Sequence, residues 1–263
     1  MNGGTGTPRT AIVTGGAAGI GLATAEVLAR QGYRVCIADL DAEAAARAAH
    51  ALGAGHVGLA CDVSREDAVD QTVRDAMAAL GCIDVLVNNA GIGDQSAATL
   101  DQDAGHFDLV LATHLRGAFL MSRAAARPML ARRAGAIVNL SSIAAFGGIP
   151  GRNAYAAAKA GISAMTRSMA CEWASRGVRV NAVAPGYTRT ELVAELERKG
   201  ALDTRGIRAR TPMGRLAQPA EIARVIAFLA SDDASYITGA TLLADGGWTA
   251  LGAPEGSLAA GAD

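Results

Sequence analysis

Thr10-Ala11-Ile12-Val13-Thr14-Gly15-Gly16-Ala17-Ala18-Gly19-Ile20-Gly21 decides how this 263-residue chain is read. Thr10 to Thr14 is a short apolar run, the mark of a buried strand. Gly15 to Gly21 is a glycine-rich turn, and Leu22 to Gln31 has a helical pattern. The alternation then repeats. Apolar runs at 34–39, 56–62, 83–88, 136–140, 178–183 and 240–244 read as further strands. Helical sequence separates them at 41–52, at 64–80 with Ser64 as N-cap, at 101–133, from 153 to about 176, and at 219–231. Gly117 and Pro128 should interrupt the 101–133 stretch.

Short apolar strands alternating with helices predict right-handed βαβ crossovers and a parallel sheet covered on both faces. The fold class expected is α/β, a single Rossmann-like domain over residues 1–263. Its doubly wound sheet should have about seven mostly parallel strands. Residues 1–9 and about 250–263 are Gly-rich and are expected to be flexible tails.

The composition narrows the function. The chain is 51% hydrophobic and 19% charged, as in a globular protein. Its net charge of −1 argues against nucleic-acid or anionic-membrane binding. Cys36, Cys61, Cys82 and Cys171 have no C-x-x-C spacing and read as small buried hydrophobes of a reducing cytoplasm. His50, His56, His106 and His114 match no metal-ligand spacing, so no metal is expected. No uncharged apolar run reaches the roughly 18 residues of a spanning helix, and Met1 to Arg9 lacks the apolar region of a signal peptide.

The glycine turn carries the first chemical signal. Backbone N–H groups and a positive helix end there suit a pyrophosphate. The spacing of Gly15, Gly19 and Gly21 is G-x-x-x-G-x-G rather than G-x-G-x-x-G, with the same physical use. Asp39 ends the second strand, 18 residues past Gly21, where a carboxylate can accept hydrogen bonds from adenosine ribose hydroxyls. The same charge repels a ribose 2′-phosphate, which favours NAD over NADP; Asp39 could alternatively cap the next helix, as could Asp41. Asp62-Val63 could meet the adenine or form a turn. Asn88-Asn89-Ala90-Gly91 could lie beside the cofactor or be a simple turn.

The second signal is Asn153-Ala154-Tyr155-Ala156-Ala157-Ala158-Lys159. On a helix, positions i and i+4 share a face, so Tyr155 and Lys159 are neighbours. A nearby ammonium favours the phenolate and lowers the tyrosine pKa, which suits it to acid–base work on an alcohol. Ser142 lies thirteen residues before Tyr155, beside Ser141, at the end of an apolar strand.

Together these pieces resemble the short-chain dehydrogenase/reductase family from Thr10 to Gly247. The matching residues are Thr14-Gly15-x-x-x-Gly19-x-Gly21, Asp62-Val63, Asn88-Asn89-Ala90-Gly91, Ser142, Tyr155-x-x-x-Lys159, Asn181-x-x-x-Pro185-Gly186 and Asp245-Gly246-Gly247. The resemblance implies Tyr155 as general acid/base, Lys159 on the nicotinamide ribose, and Ser142 on the substrate oxygen. It implies cofactor contacts from Gly15, Gly19, Ile20, Gly21, Asp39, Asp62, Val63, Asn89, Ala90, Gly91, Pro185, Gly186, Thr188 and Thr190. It also suggests a homotetramer, or a homodimer, with helices packed across interfaces. The face of Ile162, Met165, Met169 and Trp173 fits that role and fits plain core equally.

One position departs from the family. An Asn that usually holds a relay water is replaced by His114, in His114-Leu115-Arg116-Gly117. Imidazole can donate and accept, and it titrates near neutrality. The expectation is that His114 joins the relay and that His114→Asn changes the pH profile of activity.

Substrate specificity is implied for 93–96, 143–153 and a charged lid at 187–213. These include Ala144, Ile149, Arg152 and Tyr187. The expected activity is NAD-dependent interconversion of a secondary alcohol and a ketone on a small molecule, leaning to a polyol, sugar-like or other polar alcohol. A ketoacyl-thioester reductase using NADPH, or a redox-silent dinucleotide-binding sensor, are the alternatives.

Overall fold

The computed structural model describes residues 7–95, 97–200 and 202–253. β1 (Thr10–Thr14) leads through the glycine turn into α1 (Gly19–Arg30). β2 (Arg34–Asp39), α2 (Ala42–Leu52), β3 (Val57–Ala60) and α3 (Glu66–Leu80) follow. After β4 (Val85–Asn88) come α4 (Ala104–Leu111), a π-helical turn at Ala112–Arg116, and α5 (Gly117–Arg132). Next are β5 (Gly135–Leu140), α6 (Asn153–Trp173) and β6 (Val178–Pro185). Then come α7 (Glu191–Arg198), α8 (Thr204–Arg210), α9 (Pro219–Ala230) and β7 (Thr241–Ala244).

The strands form one seven-stranded sheet in the order β3-β2-β1-β4-β5-β6-β7, with every pair parallel. The two-residue alternation of strand side chains divides the core. Ala11, Val13, Val85 and Val87 face the layer that contains Leu28 of α1 and Ile226 of α9. Ile12, Leu86 and Ile137 face the layer that contains Val73, Met121 and Met169. With both faces covered, the central strands are apolar almost throughout, which is why they read so clearly in the sequence. The strand order reverses between β1 and β4, and such a switch point opens a crevice at the C-terminal strand ends.

Several local expectations are corrected. Neither Gly117 nor Pro128 breaks the 104–132 region: Pro128 sits inside α5, and the disturbance is the π turn before Gly117. α1 begins at Gly19, so Gly19 and Gly21 belong to its first turn. Ser64 is not a helix cap: its N–H and Oγ donate to Asp62 Oδ1 at 3.0 and 2.6 Å, and α3 begins behind Arg65. Ile162, Met169 and Trp173 are buried within the protomer, so most of that face of α6 is core, while Met165 is half-buried. The tail residues 1–6 and 254–263 lie outside the described residues. Arg9 pairs with Asp232 at 3.2 Å, and Arg210 donates to the carbonyls of Trp248 and Leu251 at 3.0 and 3.1 Å. Among the described residues, no helix is long and apolar enough to cross a membrane.

Candidate active site

A cleft of about 590 Å³ opens over the C-terminal ends of β4, β5 and β6. It brings together Ser142 from the end of β5, Tyr155 and Lys159 from α6, and His114 from the π turn. The two serines that follow β5 differ in their partners. The Ser141 hydroxyl is turned away, bonding the Lys159 carbonyl at 3.1 Å and Ser163 Oγ at 2.7 Å. Ser142 Oγ accepts from the Ala144 N–H at 3.1 Å, which leaves its own proton free to donate. Lys159 Nζ donates to the Leu140 carbonyl at 2.7 Å and lies 5.4 Å from the Tyr155 ring centroid.

The electrostatics differ from the sequence expectation. Burial pushes the Tyr155 phenol above its ordinary pKa; the Ser142 hydrogen bond and the Arg152 charge pull it back, and Tyr187 pushes it up further. Lys159 is not among the groups that lower it. Lys159 is itself buried, and desolvation brings its pKa down to about 7. A partly neutral ammonium directed at a backbone carbonyl exerts little pull on the phenol.

His114 is 5% exposed and stands edge-on to Tyr155, with ring centroids 5.3 Å apart at 88°. Its Nε2 meets the Ile92 N–H at 3.0 Å and the Ile92 carbonyl at 2.9 Å. Nδ1 is buried without a partner among the described residues. A Cβ on Gly91 would collide with this ring, so glycine is required there. Burial and the Lys159 charge lower the His114 pKa to about 3, against a weaker upward pull from Ile92. The imidazole is therefore neutral at physiological pH, and titration near neutrality is corrected. The pH effect moves to stability. Between pH 6.5 and about 3 the unfolded chain takes up a proton that folded His114 refuses, so stability falls as pH falls through this window. His114→Asn should flatten this acid decline by about 1.4 kcal/mol per pH unit, read from thermal midpoints at pH 7 and 5. Equal declines in both proteins would refute it.

A dinucleotide fits the adjoining strand ends. α1 has no side-chain cap and no acid in its first turn, so its first amides are open to an anion. A Cβ on Gly21 would strike the Gly15 carbonyl, so the turn closes only with glycine. Asn89 braces that turn, donating from Nδ2 to the Thr14 and Gly15 carbonyls at 3.0 and 2.9 Å. Asp39 Oδ2 accepts from the Ala17 N–H at 3.0 Å, which fixes the carboxylate beside the turn. Asp41, not Asp39, caps α2. Asp62 is held in its turn by Ser64, and the buried Val63 side chain packs beside Gly117. Ala90 follows β4, and its N–H is held by Thr14 Oγ1 at 3.1 Å. Ile20, Asn89, Gly91, Pro185 and Gly186 reach the cleft. So do Thr188, whose hydroxyl donates to the Gly186 carbonyl at 3.2 Å, and Thr190, which caps α7.

On the substrate side, Ile149, Arg152 and Tyr187 line the cleft. Ala144 does not: it is buried behind Ser142, and Ile143 takes its place at the wall. Tyr187 leans on Trp248 with ring centroids 5.2 Å apart. The segment expected to be a solvated lid holds α7 and α8, and Leu192, Val193 and Leu196 of α7 face the cleft. Ser96, at the end of the first specificity segment, lies outside the described residues.

Two features have structural roles that the sequence reading did not give them. Asp94 Oδ2 accepts from the Tyr155 N–H at 3.1 Å and so caps α6 from 61 residues away. Its own N-cap, Arg152, provides no side-chain cap. Asn88 and Asn139 form a buried chain at 2.8 Å that continues to Thr166 at 2.9 Å and joins α6 to the sheet. An acid soon after a strand, or asparagines inside strands, are the signals available for these, but neither names its partner.

The chain matches, over residues 15–249, a family model described as "Enoyl-(Acyl carrier protein) reductase". It is 49% identical over 249 residues to an uncharacterized short-chain type dehydrogenase/reductase, y4vI, of Sinorhizobium fredii. That match covers 95% of this chain but spans only 45% of that relative's length. It is 48% identical over 247 residues to cis-4-hydroxycyclohexanecarboxylate dehydrogenase of Sinomonas cyclohexanicum, covering 92% of this chain and 97% of the relative. The solved structure of levodione reductase superposes with a TM-score of 0.86 at 35% identity, covering 92% of this chain and 98% of the other.

Proposed function

The chain belongs to the short-chain dehydrogenase/reductase family, and we propose that it is an NAD-dependent oxidoreductase interconverting a polar secondary alcohol and its ketone. The observation that carries this is the convergence of Ser142, Tyr155 and Lys159 on one cleft beside open α1 amides.

NAD supplies the hydride acceptor when bound. The Tyr155 phenol carries the proton to or from the substrate oxygen. The free proton of Ser142 hydrogen-bonds that oxygen. Lys159 is the residue for the nicotinamide ribose. His114 Nδ1, buried and unpartnered, is the atom to hold a relay water, while Nε2 anchors the ring to Ile92. Gly15, Gly19, Ile20 and Gly21 take the pyrophosphate side, and Thr188 and Thr190 the nicotinamide side. Asp62 and Val63 would lie on the adenine side, and Asn89, Ala90 and Gly91 beside the cofactor.

Asp39 supports NAD, since its fixed carboxylate would face a 2′-phosphate. Wild type should favour NAD over NADP by about 100-fold in kcat/KM, and Asp39→Ser should narrow the gap about tenfold. Equal use of both cofactors by wild type would refute the assignment.

The test is nicotinamide absorbance with polyols, sugars, hydroxy acids and cyclic alcohols. Ring alcohols come first, because one relative is named for a hydroxycyclohexanecarboxylate. No turnover with any alcohol, while NADH still binds, would favour the silent sensor. A ketoacyl-thioester reductase using NADPH is the second reading; the family model's description names a reductase of acyl-carrier-protein substrates, and Asp39 disfavours NADPH. A homotetramer is proposed on the resemblance. The exposed Phe119, beside a groove with Leu115, Gly161 and Met165, supports packing through α5 and α6.

A further inference from the structure

We propose that the substrate alcohol also carries a carboxylate, and that Arg152 receives it. The inference rests on the alcohol-dehydrogenase reading of the same cleft and deepens it.

Three charged side chains line the cleft: Asp94, Arg152 and Lys159. Two are committed. Asp94 accepts the Gln95 N–H on Oδ1 at 2.8 Å and the Tyr155 N–H on Oδ2 at 3.1 Å. Lys159 is bound to the Leu140 carbonyl, deep beside Tyr155. Arg152 is not committed in this way. Its one side-chain hydrogen bond among the described residues runs from Nη1 to the Asp94 carbonyl at 3.2 Å. No ion pair joins it to a carboxylate among those residues. A guanidinium has five N–H donors in a planar fork, so most of this fork remains available. Most arginines lining no cleft spend such donors on water, but here the fork faces the enclosure that holds the reacting tyrosine.

The location is also costly for stability. Arg152 is the N-cap of the 21-residue α6, and a cation there opposes the helix dipole. Asn, Asp, Ser or Thr would cap the helix better. Asp94 restores the cap from another loop, so the arginine stays without serving the helix. Its charge reaches both cleft tyrosines, pulling against the burial that raises the pKa of Tyr155 and of Tyr187.

The rest of the wall describes the middle of the substrate. Ile92, Ile143, Ile149, Leu192, Val193 and Leu196 give apolar surface. A polyol would leave several hydroxyls unpaired against it. A carbon skeleton with the reacting hydroxyl at Ser142 and Tyr155 and one carboxylate at Arg152 fits this apolar wall and the open guanidinium.

The experiment compares 4-hydroxycyclohexanecarboxylate with its carboxamide, which keeps shape and loses charge, in wild type, Arg152→Gln and Arg152→Lys. NADH titration shows that each variant is folded. Wild type should favour the acid by about 30-fold in kcat/KM. Arg152→Gln should bring the ratio near one, mainly through the KM of the acid, and Arg152→Lys should fall between. Cyclohexanecarboxylate should also inhibit wild type more strongly than cyclohexanecarboxamide, a comparison that needs no variant. A wild-type ratio near one, or a ratio unchanged in Arg152→Gln, overturns the assignment. Turnover of neutral alcohols without preference for the acid overturns the assignment and leaves the dehydrogenase standing. No turnover of any alcohol removes both.

Discussion

Tyr155→Phe should lower kcat/KM for alcohol oxidation by about 10³ to 10⁴-fold while leaving NADH affinity within about twofold. The substitution deletes one oxygen and keeps the ring that stands edge-on to His114. It also removes the phenol whose pKa burial raises and Ser142 and Arg152 pull back. No other group there can exchange a proton at the same point. Ser142 is not poised as a base, His114 is held neutral by a pKa of about 3, and Lys159 Nζ is bound to Leu140. The folded state should persist, since α6 keeps its cap from Asp94 and its tie through Thr166. Nicotinamide absorbance and a parallel NADH titration read both effects. Retention of a tenth of wild-type activity would remove Tyr155 from the proton step.

Lys159→Met should separate activity from stability. Activity should fall about 10³-fold or more, because the Nζ proposed to hold the nicotinamide ribose beside Tyr155 is lost. Stability should not fall, because a desolvated ammonium is replaced by an apolar chain of similar length. The sign follows from the low folded pKa of about 7 against 10.5 for an ordinary lysine. Between these values the unfolded chain holds a proton that the folded chain has released. Stability from this group therefore rises with pH from about 7 to 10.5, by about 1.4 kcal/mol per unit. Thermal midpoints at pH 7 and 9 should climb less in the methionine variant than in wild type. A variant that melts well below wild type at pH 7 would show that the Leu140 hydrogen bond outweighs the desolvation.

All seven strands were legible in the sequence, because a sheet covered on both faces demands continuous apolar runs. The positions of Ser142, Tyr155 and Lys159 were legible too, through helical spacing and the end of a strand. Their electrostatics were not. A pKa depends on burial, and Lys159 became a weak cation only through its place under β5. The π turn was hidden for a related reason: Gly117 and Pro128 are breakers by propensity, but packing beside Val63 and in the α5 layer overrode it. α7 was legible and was passed over. Thr190-Glu191 is an N-cap signature, and Leu192, Val193 and Leu196 repeat at helical spacing. Reading the mixed charges as solvated lid hid an amphipathic helix. The Asp94 cap could not be read at all, since nothing local links residue 94 to residue 155.

That cap has a consequence for anyone redesigning the enzyme. The loop after β4 would be the natural place to exchange residues for a new specificity. Yet it carries Asp94, and Gln102 nearby donates to the Gly151 carbonyl at 3.1 Å while accepting from Asn153 at the same distance. A grafted loop would therefore shift the helix that carries Tyr155. On the proposed function, selectivity and rate would be mechanically geared, and a library that varies 93–102 should find new specificities chiefly among sequences that keep the aspartate.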